Sequence, residues 1–259
     1  MKPIIVADDF GLCEKHDEVI TKLVKKKKVN AVSVLVHGEL TKERVYKIKN
    51  MRDYVSIGLH LNLTMTLPKI KPLGSIKTLI FKSFLKVINL QELEKTVNSQ
   101  ISQFEEIFGS PPDFIDGHEH VHTLPLVTEI LIERVLKEQF SKEFWIRSPT
   151  TNTLSDLIRE VSNAGVKVVI ISALAKRAKL KLINHKIKTN NNFAGFLNLK
   201  SPSKNFEQMY LKLLTLNKSD MVLMVHPGDA ESPIFNKDHS NELRALEAKL
   251  LNSSEIHLI

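Results

Sequence analysis

The sequence has one cysteine, Cys13, in 259 residues. A single thiol excludes a framework of intramolecular disulfide bonds and fits a reducing compartment. No apolar run reaches the roughly 18 residues that a membrane helix needs. The N-terminal segment MKPIIVADDFG turns polar after too few apolar residues for a secretory signal. We therefore expect a cytoplasmic protein with no membrane partner.

Sequence motifs of several common enzyme classes are also missing. The chain contains no Gly-x-Gly-x-x-Gly or Gly-x-x-x-x-Gly-Lys phosphate loop, and it contains no Gly-x-Ser-x-Gly nucleophile elbow. The position of Cys13 disfavours a thiol nucleophile. Water activated by a metal ion is the nucleophile that remains.

Basic residues outnumber acidic residues, with 37 lysines and arginines against 29 aspartates and glutamates and a formal net charge of +8. Such an excess can mark a nucleic-acid-binding protein. Here the basic residues are spread along the chain, and the one dense run, residues 25–28, closes a predicted helix. Cations at that position favour the C-terminal end of the helix dipole. We expect a solvated basic surface and no nucleic-acid partner.

Hydrophobic periodicity predicts alternating strands and helices along the whole chain. We predict strands at short apolar runs, which are residues 4–7, 31–36, 55–63, 114–116, 144–147, 166–171, 221–225 and 256–259. We predict helices at amphipathic segments, which are residues 14–28, 90–108, 126–139, 154–164, a stretch that ends near 216, and 241–251. Residues 64–89 are predicted as a long, partly helical excursion and residues 188–204 as a loop.

This alternation is typical of an α/β protein with a parallel sheet covered by helices. Seven or eight predicted strands in 259 residues favour a closed or partly closed barrel over an open sheet. The length suits a barrel built as one unit, so we expect a single domain over residues 1–259.

Unusual polar side chains lie at or near the C-terminal ends of the predicted strands. They are Asp8, Asp9, His60, Asp116, His118, His120, His122, Arg147 and His226. In parallel architectures these ends meet at one edge, where catalytic groups from different strands come together. Mixed carboxylate and imidazole groups suit a divalent metal ion. The sequence thus predicts a metal site at this edge.

Two local details affect how these side chains can meet. The segment DGHEHVH, residues 116–122, carries three histidines and two acids, and His120 and His122 would lie on one face if the segment were extended. Adjacent residues of a strand point to opposite faces. Asp8 and Asp9 can therefore share a site only if the chain turns there, which Phe10-Gly11 permits.

Several segments resemble those of the YdjC/ChbG-like carbohydrate deacetylases. They are IIVADDFGL, SIGLHLNLT, FIDGHEHVHTLP, IRSP and MVHPG, which occur in the family's order and span residues 4–228. The combination is more specific than any one segment. The resemblance implies a distorted TIM-like (β/α) barrel of the glycoside hydrolase and deacetylase type. It also implies removal of the N-acetyl group from amino sugars, typically N-acetylglucosamine units of chitooligosaccharides.

The same resemblance implies a divalent metal cofactor, Mg²⁺ or Zn²⁺, and assigns roles by position. Asp9, His60 and His118 would hold the metal ion. Asp8 would be the general base and His226 the general acid. Arg147 would orient the base through charged hydrogen bonds.

The remaining residues of the histidine-rich segment have less definite roles in this comparison. Asp116, His120 and His122 would orient the metal ligands or touch the sugar, and His122 is the alternative to His118 as a ligand. One segment differs from the family: the excursion at residues 64–89 contains TMTLPKIKPLG where the family usually has a Gly-x-Pro turn. If that segment forms part of the substrate wall, the identity of the sugar stays open.

Two other functions fit part of the pattern. A metal-dependent phosphoesterase could use the same barrel, although two-metal phosphatases usually show more ligand residues than the three assigned here. A non-enzymatic basic binding protein would bind in a salt-dependent manner, but the intact acid and histidine set argues against it. The expected partner is a small carbohydrate, and a homodimer is a further expectation from the family.

Overall fold

Seven strands form one curled, parallel sheet within residues 3–85, 87–138, 140–199, 205–216, 218, 220–232 and 239–254, which the computed structural model describes. They are β1 (Ile4–Phe10), β2 (Ala31–Val34), β3 (Ser56–Leu61), β4 (Phe114–Gly117), β5 (Trp145–Ile146), β6 (Asn192–Ala194) and β7 (Met221–Val225). Their order is β5-β4-β3-β2-β1-β7-β6, with every pair parallel. This half-barrel confirms the expected fold class, and all seven strands end at the same edge.

Nine α-helices lie between and after these strands in the described part of the chain. They are α1 (Glu14–Lys25), α2 (Lys42–Lys49), α3 (Ile76–Leu85), α4 (Leu90–Phe108), α5 (Pro125–Lys137), α6 (Leu154–Ala164), α7 (Lys167–Asn184), α8 (Phe206–Leu214) and α9 (Asn241–Ser253). Helix α1 ends three residues earlier than predicted, and Lys27 beyond it has a positive φ of 56°. The predicted strand at residues 256–259 and the last residue of the predicted helix 126–139 lie outside the described residues.

Helix α4 has the bounds that its periodicity predicts. Its stripe of fully buried apolar residues packs into the main core and comprises Leu93, Val97, Ile101, Phe104 and Phe108. The Asn89 side chain accepts the backbone N–H of Glu92 at the start, and Gly109 ends the helix in the left-handed conformation. The capping residues and the apolar stripe indicate the same helix, which explains why its bounds could be predicted.

The predicted strand at residues 166–171 is wrong, because this segment begins helix α7. Val168 is fully buried, whereas Val166 and Ile170 are 73% and 52% exposed. Ser172 and Ala175, which are also buried, follow Val168 at the four- and seven-residue spacing of one helix face. The β-branched residues favour a strand locally, but the pattern of burial and the helix-forming sequence that follows outweigh that preference.

One observed strand was not predicted. Strand β6 lies within residues 188–204, which the sequence predicts as a loop. It pairs in parallel with β7, with Phe193 opposite Val222. The strand has only three residues and begins within a run of asparagines. Such a segment carries no periodic signal, so its strand character depends on its neighbour.

The two outer strands of the sheet are linked by side-chain and backbone contacts. The Ile146 N–H donates to the Lys188 carbonyl (3.0 Å). The Asn190 side chain accepts the Ser148 N–H (2.7 Å) and donates to the Ser148 carbonyl (2.9 Å). These bonds join β5 and the chain after it to the chain before β6, in agreement with the curled form of the sheet. Within the described residues, no helix has the length and hydropathy of a membrane span.

The helical assignment of residues 167–184 can be tested by two aspartate substitutions. In a strand, residues 168 and 170 would share a face and respond alike. In α7, Val168→Asp should lower the free energy of unfolding by at least ~3 kcal/mol, because it buries a charge. Ile170→Asp, at an exposed position in the same turn, should change it by less than about 0.5 kcal/mol. Urea denaturation of both variants distinguishes the two structures, and equal losses would contradict the helix.

Candidate active site

All nine side chains singled out in the sequence are buried, and they lie at or just beyond the C-terminal ends of strands. Asp8 and Asp9 belong to β1, His60 to β3 and Asp116 to β4. The three histidines of residues 118–122 follow β4, Arg147 follows β5 and His226 follows β7. The predicted convergence on one edge of the sheet is therefore observed. The roles assigned to the individual residues stay predictions.

A bulge in β1 allows two consecutive aspartates to face one site. Ala7 pairs with Val32 and Phe10 with Val34, so β1 has one residue more than β2 in this interval. Asp9 itself is left-handed, with φ of 68°. The turn expected at Phe10-Gly11 thus begins at Asp9, one of the few residue types that tolerate this conformation.

The loop that follows the bulge is held from outside the sheet. Gly11 has φ of 95°, and a Cβ there would lie 2.8 Å from the Leu35 carbonyl oxygen. The Gly11 N–H donates to Asp17 Oδ1 (2.7 Å), and Arg44 Nη1 donates to Asp17 Oδ2 (2.7 Å). Helices α1 and α2 therefore fix the backbone that carries both site aspartates.

Asp9 and two histidines form a set of donors suited to a metal ion. Asp9 Oδ1 lies 3.3 Å from His60 Nε2 and 3.6 Å from His118 Nδ1. This buried oxygen makes no hydrogen bond with any described residue. Ligand atoms around a tetrahedral ion with bonds of about 2.0–2.1 Å lie roughly 3.3–3.4 Å apart. The observed spacing and the unsatisfied oxygen fit a divalent metal ion.

The second nitrogen of His60 is held by Asp116. His60 Nδ1 lies 2.7 Å from Asp116 Oδ1, which also accepts the hydroxyl of Ser33. Burial opposes the charged form of His60, but Asp8 and Asp116 outweigh it and raise its pKa to about 10. A carboxylate that holds the far nitrogen of a ligating imidazole fixes its orientation. Asp116 therefore orients His60 toward Asp9.

Arg147 forms a buried ion-pair network with two carboxylates. Its Nη1 and Nη2 donate to Asp8 Oδ2 and Oδ1 at 2.7 and 2.6 Å. Nη2 also pairs with Asp116 Oδ2. Burial raises the pKa of Asp8 despite the opposing charge of Arg147. For Asp116, burial also favours the neutral form, but Arg147 and His60 outweigh it and lower its pKa.

His226 follows β7, which pairs with β1 at the edge away from β2. Its Nε2 is 3.9 Å from Asp8 Oδ2, and its backbone N–H donates to the buried carboxylate of Glu247 (2.7 Å). Burial lowers the pKa of His226 well below its usual value. The imidazole is therefore neutral in the absence of substrate. A small movement of the ring would bring its Nε2 within hydrogen-bond distance of Asp8.

The histidine-rich segment does not have the extended conformation considered for it. Glu119 and His120 have φ of 49° and 59°, so two consecutive left-handed residues turn the chain at this point. The His122 Nε2–H donates to the Arg147 carbonyl (3.0 Å). His120 packs instead on Phe196, with ring centroids 5.1 Å apart. Burial lowers the pKa of both histidines, that of His122 to about 3.

These contacts separate the three histidines by position. Among the described residues, the groups of three or more side chains that could hold a metal ion include His118 but neither His120 nor His122. His122 contacts the backbone of Arg147, and the His120 ring packs on Phe196. This arrangement favours His118 over His122 as the metal ligand, in agreement with the family resemblance.

Two further residues of the site were missed by the sequence reasoning. Arg244 Nη2 donates to Asp9 Oδ2 (2.6 Å) and to His239 Nδ1 (2.7 Å). His239 also stacks edge-on against His226, with ring centroids 4.5 Å apart. One signal was available for Arg244: it is a charged residue in the buried stripe of an amphipathic helix, beside Leu243 and Leu250. His239 has no comparable signal.

The chain matches a known family over almost its whole length. The family model of YdjC-like proteins covers residues 2–258. A carbohydrate deacetylase from Danio rerio is 32% identical over 146 residues, which are 51% of this chain and 46% of that protein. A chitooligosaccharide deacetylase from Proteus mirabilis (strain HI4320) is 31% identical over 144 residues, which are 51% of this chain and 56% of that protein. The matched segment spans about half the length of these curated relatives.

A solved structure has the same fold. A crystal structure from Enterococcus faecalis V583, named for cellobiose-phosphate cleavage, superposes with a TM-score of 0.65 and 18% sequence identity. The match covers 98% of this chain and 91% of that chain. At this level of identity the likeness supports the fold alone.

The network around Arg147 should be essential for stability. Arg147→Met leaves Asp8 and Asp116 buried without their cation and should lower the free energy of unfolding by about 3–5 kcal/mol. Arg134, which pairs with Glu105 and Glu138 near the surface, provides a matched control. Arg134→Met should cost less than about 1 kcal/mol. Chemical denaturation measures both, and similar losses would show that Arg147 has no special role.

Proposed function

The chain belongs to the YdjC-like protein family, and we propose on that premise that it is a metal-dependent hydrolase that removes the acetyl group from N-acetylated sugars. One observation carries the proposal. The convergent donors of Asp9, His60 and His118 lie beside Asp8, a carboxylate that a buried arginine holds in place. The names of the relatives from D. rerio and P. mirabilis support the same reaction class.

Asp9, His60 and His118 would hold the metal ion. One carboxylate and two imidazoles favour a borderline ion such as Zn²⁺ over Mg²⁺, which prefers oxygen ligands in near-octahedral geometry. A divalent ion at this position would supply polarisation of the acetamide carbonyl and a lower pKa for the attacking water. The protein contributes the fixed orientation of the donors, because Asp116 and Ser33 hold the far side of His60.

Asp8 would accept the proton of the attacking water. Arg147 occupies one side of each Asp8 oxygen, and each oxygen retains a second lone pair for the substrate side. The raised pKa of Asp8 makes it a stronger base than an exposed aspartate. The bidentate pair with Arg147 fixes the carboxylate, so the base is in position before the substrate arrives.

His226 would transfer a proton to the departing amine. Because its pKa is lowered, His226 is neutral before the reaction and must receive the proton that it donates. Asp8 Oδ2, 3.9 Å from His226 Nε2, is the nearby source. The water proton would pass from Asp8 to His226 and then to the sugar nitrogen, with acetate and a free amino sugar as products.

The substrate that we propose for the first assay is a short N-acetylglucosamine oligomer, since the P. mirabilis relative is named for chitooligosaccharides. The single domain, the cytoplasmic location, the absence of nucleic-acid and membrane partners, and the homodimer stay predictions.

Acetate release from di-N-acetylchitobiose tests the reaction. Protein stripped of metal should release no acetate, and addition of Zn²⁺ should restore release more fully than Mg²⁺ because of the nitrogen donors. Acetate is measured by a coupled enzymatic assay, with protein denatured by heat as the blank. Release that is equal with and without added metal would contradict the metal-dependent mechanism.

Asp8→Asn tests the base. The amide keeps the shape and a hydrogen bond to Arg147 but cannot accept the proton, so turnover should fall by about 10²-fold or more. Zinc binding, measured by calorimetry, should be retained. Asp53→Asn, at an exposed position before β3, should leave turnover unchanged. If Asp8→Asn were as active as Asp53→Asn, Asp8 would not be the base.

A further inference from the structure

Nitrogen atoms surround both oxygens of the Asp9 carboxylate. Oδ1 faces His60 Nε2 and His118 Nδ1, at 3.3 and 3.6 Å. Oδ2 faces Arg244 Nη2 at 2.6 Å and His239 Nδ1 at 3.7 Å. The carboxylate therefore has two coordination sides. Two-metal hydrolases often use such a bridging carboxylate between ions about 3.5–4 Å apart.

The second side has enough donors for an ion of its own. Asp9, His226 and His239 offer ligand atoms that lie within 4.8 Å of one another. This set shares Asp9, and no other residue, with the set of Asp9, His60 and His118. A carboxylate and two imidazoles are the same donor types on both sides. By donor chemistry alone, the site could hold two metal ions.

We infer that Asp9, His226 and His239 form a second cation position, and that the guanidinium of Arg244 fills it and so limits the centre to one metal ion. The inference rests on the metal centre of the proposed function. It assigns to Arg244 the role of a positioning residue that acts through Asp9.

The hydrogen bonds of Arg244 occupy the donors that a second ion would need. Nη2 contacts both Asp9 Oδ2 and His239 Nδ1, the latter at 2.7 Å. Each contact uses a lone pair that would otherwise be available to a metal ion. The fixed positive charge also repels a divalent ion over a few ångströms of buried space, where screening by water is weak.

The backbone of Arg244 is fixed close to the segment after β7. Arg244 lies in the first turn of α9, and its carbonyl accepts the N–H of Gly228 (3.0 Å), two residues after His226. Its own N–H donates to the Ser240 carbonyl (3.1 Å). A Cβ at Gly228 would lie 3.1 Å from Arg244 Cβ, so the two segments are in close contact. Arg244 is nearly fully buried in this position.

The same contact determines which oxygen of Asp9 is available. With Oδ2 paired to Arg244, the carboxylate cannot rotate freely, and Oδ1 remains directed at His60 and His118. Removal of the guanidinium would leave Asp9 and the nearby Glu247 without a cation that both now face. A second divalent ion would compensate that negative charge.

The experiment is a count of zinc ions per folded chain. Stripped protein is saturated with Zn²⁺, free metal is removed by gel filtration, and bound zinc is measured by plasma mass spectrometry. The parent chain should hold one ion. Arg244→Met should hold two, and Arg244→Met/His239→Ala should return to one. Circular dichroism establishes that each variant is folded, and Arg244→Gln, which also lacks the charge, replaces Arg244→Met if the latter does not fold.

His239→Ala in the parent background provides an independent measurement. Because Arg244, and not a metal ion, uses His239 there, this variant should still bind one ion with an affinity within about threefold of the parent's. A loss of zinc in this variant would overturn the inference.

The possible counts separate the inference from the function on which it rests. One ion in the parent and one in folded Arg244→Met or Arg244→Gln would overturn the role of Arg244 and leave the metal centre intact. Two ions in the parent would also overturn it and would favour a two-metal reaction. No ion in the parent would overturn the metal centre of the proposed function, and the inference with it.

Discussion

One guanidinium contacts carboxylates from two strands that are not neighbours. Arg147 pairs with Asp8 of β1 and with Asp116 of β4, which are three places apart in the sheet. Adjacent strands lie about 4.8 Å apart, so a flat sheet would separate these strands by roughly 14 Å. The shared contact requires a curled sheet. Arg147 therefore connects the architecture of the half-barrel to the geometry of its site.

The charges of the site depend on the same contact. Three buried carboxylates, of Asp8, Asp9 and Asp116, face two buried guanidiniums, of Arg147 and Arg244. The remaining negative charge is directed at His60. Buried charges are tolerated when each has a partner and further hydrogen bonds, and Ser33 supplies one of these to Asp116. A centre with this balance of charge is suited to holding positive charge on its histidine side.

The sequence predicted the position of the site, at the C-terminal ends of the strands, more reliably than it predicted every strand and helix. Strands β1 and β7 and helix α4 have strong apolar patterns, and parallel pairing brings the polar residues after strands together without further information. The β-branched run that begins α7 was misassigned because propensity is local, whereas Val168 and Ile170 differ only in tertiary burial. Strand β6 is too short for periodicity to detect.

The same distinction explains what was missed at the site. His60 lies near the end of an alternating apolar strand and His226 directly follows an apolar run, which marks both as residues near strand ends. Arg244 lies on a helix, and its contact with Asp9 exists only because α9 packs against the segment after β7. The bulge at Asp9 has no sequence mark beyond two adjacent aspartates. The helix stripe marks Arg244 as a buried charge but does not identify its partner, because the partner is set by contacts between distant parts of the chain, for which a single sequence has no periodic signal.

The left-handed backbone of Asp9 narrows the range of residues that this position can accept in evolution. Glutamate preserves the carboxylate, but its longer side chain enters this backbone region less readily and would shift the oxygens relative to His60. Asparagine and glycine accept the backbone, but asparagine lacks the charge that Arg244 faces and glycine lacks any donor. Conformation and chemistry are each satisfied by several residues, and aspartate is the residue that satisfies both.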